Sequence, residues 1–164
     1  MLHDGIELDL SAMPTLRLIL GDQLNPNHSW FSERDKHVHY VMMEVRQETD
    51  YVLHHAQKII AIFAAMRHFA AALRKRGHRV HYLSIDDQTN EHSVPANLDA
   101  LIAAHGIDRF EYQMPDEWRL DKQLAAYAKA LAVESAMVDS EHFTSIPHAM
   151  KPRVTSTSMA ISNG

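Results

Sequence analysis

The sequence contains no cysteine, five glycines and six prolines in 164 residues. Without cysteine there can be no disulfide and no thiolate-held zinc or iron–sulfur cluster in this chain, and the composition suits a reducing, cytoplasmic setting. There is no excess of positive charge. A net charge of −5 and a pI near 6.2 argue against a free-standing nucleic-acid binder, because phosphate contact favours a basic face. A local basic patch, or a place within a larger DNA-binding protein, is compatible with that charge. No window approaches the ~20 apolar residues of a membrane helix, and the N-terminus lacks a signal peptide's apolar core. The expectation is a soluble chain with no membrane contact. Phosphate-gripping motifs are missing too: neither G-x-G-x-x-G nor G-x-x-x-x-G-K occurs, which argues against a pyrophosphate-binding turn. G-x-S-x-G is also absent, and with it a nucleophile elbow.

What remains is an ordinary globular composition, 46% apolar and 23% charged, in one domain long enough to bury ~68–70% of its unfolded surface. Residues 1–14 show no period and read as a loose leader ending at Pro14. Leu16–Leu20 and His37–Met43 are apolar runs suited to strands buried on both faces. Between them, Asn25-Pro26-Asn27-His28 reads as a turn, and Trp30-Phe31 should tuck the loop onto the core.

A long helix is predicted from about Tyr51, capped by Asp50 or Thr49. Its apolar stripe is Val52, Ala56, Ile59, Phe63, Met66, Ala70 and Leu73. Arg74-Lys75-Arg76 suits the helix's negative end, and Gly77 should stop it. Arg79–Ile85 reads as a third strand, Leu98–Gly106 as a short helix, and Arg109–Tyr112 as a fourth strand. Leu120–Ala132 reads as a helix and Glu134–Val138 as a fifth strand. That order predicts an α/β, Rossmann-like, doubly wound and mainly parallel five-stranded sheet with flanking helices, over residues 15–144. Residues 145–164 are Ser/Thr-rich and without period, and read as a disordered tail.

Ligands of open α/β sheets bind beyond the carboxyl ends of the strands. The polar loops predicted there are Gly21-Asp22-Gln23, Glu44–Glu48, Asp86-Asp87 and Asp116–Arg119. Gly21 permits close backbone approach. His54 and Lys58 share one helix face, Tyr51 and His55 another. Placed at a helix start they could hold an anion or polar ring, or be a solvated first turn. Trp118 could stack on a ring ligand, or be the first apolar anchor of its helix, which is the preferred reading. The thirteen histidines show no metal spacing: His54 and His55 point ~100° apart, and His37/His39 and His78/His81 lack a partner pattern. No metal site and no catalytic residue are predicted.

The ordered segments LRLILGDQL, MMEVRQETDYVLHHAQK with the helix and strand that follow, PDEWRL and SEHF together carry a resemblance. Over about residues 16 to 144 the chain resembles the N-terminal region of the deoxyribodipyrimidine photolyase-related proteins, the bacterial iron–sulfur (6-4) photolyase and cryptochrome group. The resemblance implies a light-harvesting antenna domain of a DNA-repair flavoprotein. In relatives it packs on a helical domain that holds FAD and a [4Fe–4S] cluster, and it lodges 6,7-dimethyl-8-ribityllumazine. Carried over by motif, Gly21, Asp22, Gln23 and Leu24 line the pigment pocket. Glu48, in the E-x-x-x-E segment with Glu44, accepts a hydrogen bond from the lumazine N–H. Tyr51, His55 and Lys58 are further candidates for the ring or ribityl chain.

After Phe143 the sequence departs from that pattern, and it offers neither a flavin site nor cluster cysteines. The expectation is therefore an antenna domain truncated before the helical domain and not catalytic alone, with a missing or separately encoded FAD domain as partner. The alternative is a structural or interaction module with an empty pocket, self-associating through apolar surface left exposed. A stand-alone hydrolase or nucleotidyl enzyme lacks a nucleophile, a metal set and a phosphate loop. Direct nucleic-acid binding is not expected of this domain alone.

Overall fold

A computed structural model of the chain describes residues 13–45 and 56–141. Five strands form one sheet: β1 Thr15–Leu18, β2 Val38–Met43, β3 Arg79–Leu83, β4 Arg109–Gln113 and β5 Glu134–Val138. Their order is β3-β2-β1-β4-β5 and every neighbouring pair is parallel. The predicted sheet was mainly parallel; the observed one is wholly so. Parallel strands need covering on both faces. That is why β2 is buried along its whole length and reads as an uninterrupted apolar run.

Among the described residues three helices provide the cover: α1 Ala56–Lys75, α2 Val94–His105 and α3 Trp118–Ala130. On one face, α1 and a 3-10 turn at Ser29–Phe31 pack Met66, Phe69, Ala70, Leu73, Trp30 and Phe31 against Ile19, Tyr40 and Met42. On the other face, α2 and α3 set Val94, Leu98 and Leu124 against Leu16, Leu18, Val41, Phe110 and Tyr112. The result is a three-layer α/β/α, Rossmann-like fold.

Several boundaries move for local reasons. The second helix starts at Val94, not Leu98, because Ser93 caps it (its hydroxyl accepts from the Ala96 N–H) and Pro95 sits in the first turn. The third runs from Trp118 to Ala130 rather than from Leu120 to Ala132. In α1 the buried stripe includes Phe69, which the expected stripe omitted, whereas Ala56 is exposed. The expected start of that helix, with Tyr51 and Val52, lies outside the described residues.

By length and composition α1 is apolar enough to cross a membrane, which corrects the expectation that no segment is. It is also the helix that covers one face of the sheet, and Arg67 and Arg74 on it are hydrogen-bonded to Glu44 and to the Val80 carbonyl. Only 22% of that apolar window is buried against the described residues.

Gly77 ends α1 at φ +93°, and the Gly77 and His78 amides donate to the Arg74 and Leu73 carbonyls. A Cβ there would meet Arg34 Cδ at 2.7 Å. Gly77→Ala should cost about 1–2 kcal/mol, mostly in backbone strain, measured by urea unfolding. A loss below about 0.3 kcal/mol would contradict the left-handed stop.

Candidate functional site: the crevice between β1 and β4

The chain leaves β1 toward β2 on one side, and β4 lies on the other. The connections that leave β1 and β4 run to opposite faces of the sheet, which makes this a topological switch point, the position where open α/β sheets bind ligands. Gly21 and Asp22 make the turn after β1. A Cβ on Gly21 would lie 2.9 Å from Ile62 Cγ2 and 3.2 Å from Met66 Sδ. Close approach at this glycine thus serves the packing of α1. Asp22 is exposed, and Leu24 packs on the α1-side core.

Gln23 is buried at 1% exposure and spans the crevice. Its Oε1 accepts from the Leu20 N–H, and its Nε2 donates to the Gln113 and Met114 carbonyls at 3.3 and 3.2 Å. It ties the end of β1 to the end of β4. Beyond it, Asn25 Nδ2 donates to the Glu141 carbonyl and His28 Nε2 meets the Asp139 carbonyl at 3.0 Å. The turn predicted at Asn25–His28 thereby fastens to the segment after β5.

Gln113, the last residue of β4, was not singled out in the sequence. It is fully buried, and neither its Nε2 nor its Oε1 has a hydrogen-bond partner among the described residues. A buried amide without partners costs about 1–3 kcal/mol, and Gln113 holds such a donor and acceptor at the carboxyl end of β4. Its identity as a polar residue ending a short strand carried no signal.

Glu44, at the end of β2, has a different role. Its side chain is fully buried and both oxygens are occupied. Oε1 accepts from Arg67 Nε at 2.6 Å and Tyr82 Oη at 2.6 Å; Oε2 accepts from Arg67 Nη2 at 2.8 Å and the Ile85 amide at 2.9 Å. Burial would raise the carboxyl pKa, but the bonds from Arg67, Tyr82 and Ile85 outweigh it and hold the pKa below the ordinary 4.5. Burial and then the carboxylate raise the Tyr82 phenol. Four donors leave Glu44 no acceptor for a ligand.

Beside this cluster, a groove of about 320 Å³ is lined by Arg67, Ala70, Arg74, Tyr82, Ser84 and Asp86. Arg67 is taken by Glu44, and Arg74 donates twice to the Val80 carbonyl. The partner of Arg74 is a neutral carbonyl, so its charge is not neutralised there.

Of the other sequence-predicted residues, Lys58 is exposed on α1. Glu48, Tyr51, His54 and His55 lie outside the described residues. Trp118 is 68% exposed at the start of α3, with Lys122 Nζ 4.5 Å from its ring centroid. It does not anchor its helix in the core.

A wholly parallel sheet, wound both ways from β1 and covered by helices on both faces, defines a Rossmann-like α/β domain. The particular family follows from sequence comparison. The family model for the deoxyribodipyrimidine photo-lyase-related proteins matches residues 17–160, and the chain belongs to that family. The match runs past Phe143, where the motif resemblance was expected to end. A (6-4) photolyase of Agrobacterium fabrum (strain C58 / ATCC 33970) is 37% identical over 134 residues, 81% of this chain and 26% of the relative. The chain thus spans about a quarter of that relative's length.

Proposed function

We propose that this domain is the antenna of a light-dependent DNA-repair flavoprotein of the photolyase and cryptochrome type, that it holds 6,7-dimethyl-8-ribityllumazine in the β1–β4 crevice, and that it is not catalytic alone. One observation carries the reading: the unpartnered, fully buried amide of Gln113 at the switch point. A pyrimidinedione ring edge offers an N–H flanked by carbonyl oxygens, the complement of one amide's donor and acceptor. Gln23 is the brace that fixes the Gln113 backbone, and Gly21, Asp22 and Leu24 form the rim. Glu48 supplies a carboxylate acceptor, with Tyr51, His55 and Lys58 toward the ribityl chain. When bound, such a pigment absorbs violet light and passes the excitation to a flavin. The chain's own residues bind and orient the ring.

The flavin and the [4Fe–4S] cluster belong, in this reading, to a helical domain elsewhere in the protein or on a partner. A docking face for it is favoured by the exposed apolar side chains Ile60, Met114, Trp118 and Met137. A net charge of −5 favours DNA contact by that other part, in the cytoplasm.

Titrating the purified chain with 6,7-dimethyl-8-ribityllumazine, followed by fluorescence anisotropy, tests the proposal. Saturable binding is expected, with Glu48→Ala weaker by about 10–100-fold, since a hydrogen bond to a charged group contributes about 1.5–3 kcal/mol. Equal affinity in Glu48→Ala would remove Glu48 from the pocket. Self-association with no pigment uptake would favour an interaction module instead.

A further inference from the structure

At the opposite, amino edge of the sheet the fold gathers three histidines that lie 42 and 24 positions apart in sequence. His39 on β2 and His81 on β3 are two registers apart on neighbouring strands, His39 opposite Arg79 and Val41 opposite His81, so both face α2. His105 is the last residue of α2 before the left-handed Gly106 cap. One ring nitrogen from each of the three lies within 4.8 Å of the others.

We propose that His39, His81 and His105 form a transition-metal site for a zinc(II)- or copper(II)-class ion.

The donor set decides the class. Three imidazoles without a carboxylate or thiolate suit zinc, copper and nickel, and not magnesium or calcium, which take oxygen ligands. Imidazole ligates through its neutral form. The carbonyl end of α2 adds the negative end of a helix dipole, which favours a cation.

The first two rings are already joined. His39 Nδ1 and His81 Nε2 are 2.9 Å apart, with ring planes 5° from parallel. Arg79 Nη1 approaches His39 Nε2 at 3.1 Å. A guanidinium only donates, so His39 Nε2 holds a lone pair and the His39 proton sits on Nδ1, directed at His81. An ion takes the place of that proton. Two nitrogens on a tetrahedral zinc stand ~3.4 Å apart for bonds of ~2.0–2.1 Å, so the pair opens slightly and the exposed His105 swings inward. His39 then loses its Nδ1 proton and takes one on Nε2, leaving its net protonation unchanged, and Arg79 must release Nε2. Arg79 is therefore a gate that competes with the metal.

Calorimetric titration of the full chain with zinc chloride, and separately copper chloride, at neutral pH tests this. One saturable site is expected, weakened at least about tenfold in His105→Ala and unchanged in His68→Ala, an exposed histidine on α1 outside the cluster. Ring-nitrogen NMR shifts should move for His39, His81 and His105 on zinc addition. Arg79→Gln should bind about tenfold tighter. Absence of a saturable site, or equal affinity in His105→Ala, would overturn the site. Unchanged or weaker affinity in Arg79→Gln would overturn the gate. None of these readouts depends on pigment binding.

Discussion

Replacing Arg67 by methionine should destabilise the domain by about 3–5 kcal/mol, whereas Glu44→Gln should cost about 1–3 kcal/mol. The asymmetry comes from burial. The Arg67 side chain is 55% exposed and Glu44 is not exposed at all. Removing the carboxylate charge leaves a guanidinium that water can solvate, plus an Ile85 amide and a Tyr82 hydroxyl with weaker acceptors. Removing the guanidinium strands a charge in the core between β2, β3 and α1.

The pH dependence distinguishes Arg67→Met from the native protein. In the native protein the Glu44 pKa lies below its ordinary 4.5, so the unfolded chain binds more protons in acid. That contribution is complete above pH 4.5 and is lost as pH falls through the lowered folded value. In Arg67→Met, burial with less compensation drives the folded pKa above 4.5. The folded state then binds the extra proton, and the deficit shrinks as pH falls through the raised value. Urea unfolding of both proteins between pH 7 and pH 4 should therefore give converging curves. Parallel curves would mean that Glu44 is not held ionised by Arg67.

The sheet was legible in the sequence because parallel strands buried on both faces must read as apolar runs, as Val38–Met43 does. Gly77 was legible for a similar reason: a helix that ends at φ +93° favours glycine. Ser93 and Pro95 were an equally physical signal, overlooked inside a polar stretch. The site was less legible. Glu44 carries the same letter whether it faces a ligand or four internal donors, and only tertiary packing distinguishes them. Gly21 was rightly marked as a point of close approach, but the approaching group is α1. His39, His81 and His105 have no local spacing to detect, since metal patterns in sequence need ligands on one element or one loop. Topology alone assembles them.

Gln113→Leu should shift stability and pigment binding in opposite directions. Without pigment, the substitution removes an amide whose donor and acceptor are both buried and unpartnered, at nearly constant volume. The variant should be more stable by about 1–3 kcal/mol, seen as a higher urea midpoint with unchanged slope. With pigment, two neutral hydrogen bonds of about 0.5–1.5 kcal/mol each are lost, and affinity should fall about 10–100-fold. A core defect would not produce this pair of signs. If Gln113 were a structural residue, leucine would lower stability. If it were a tolerated defect, stability would rise while affinity stayed the same. A stabilised variant that binds poorly is the outcome unique to a preorganised ligand contact, in which an unsatisfied amide persists because the bound ring completes it.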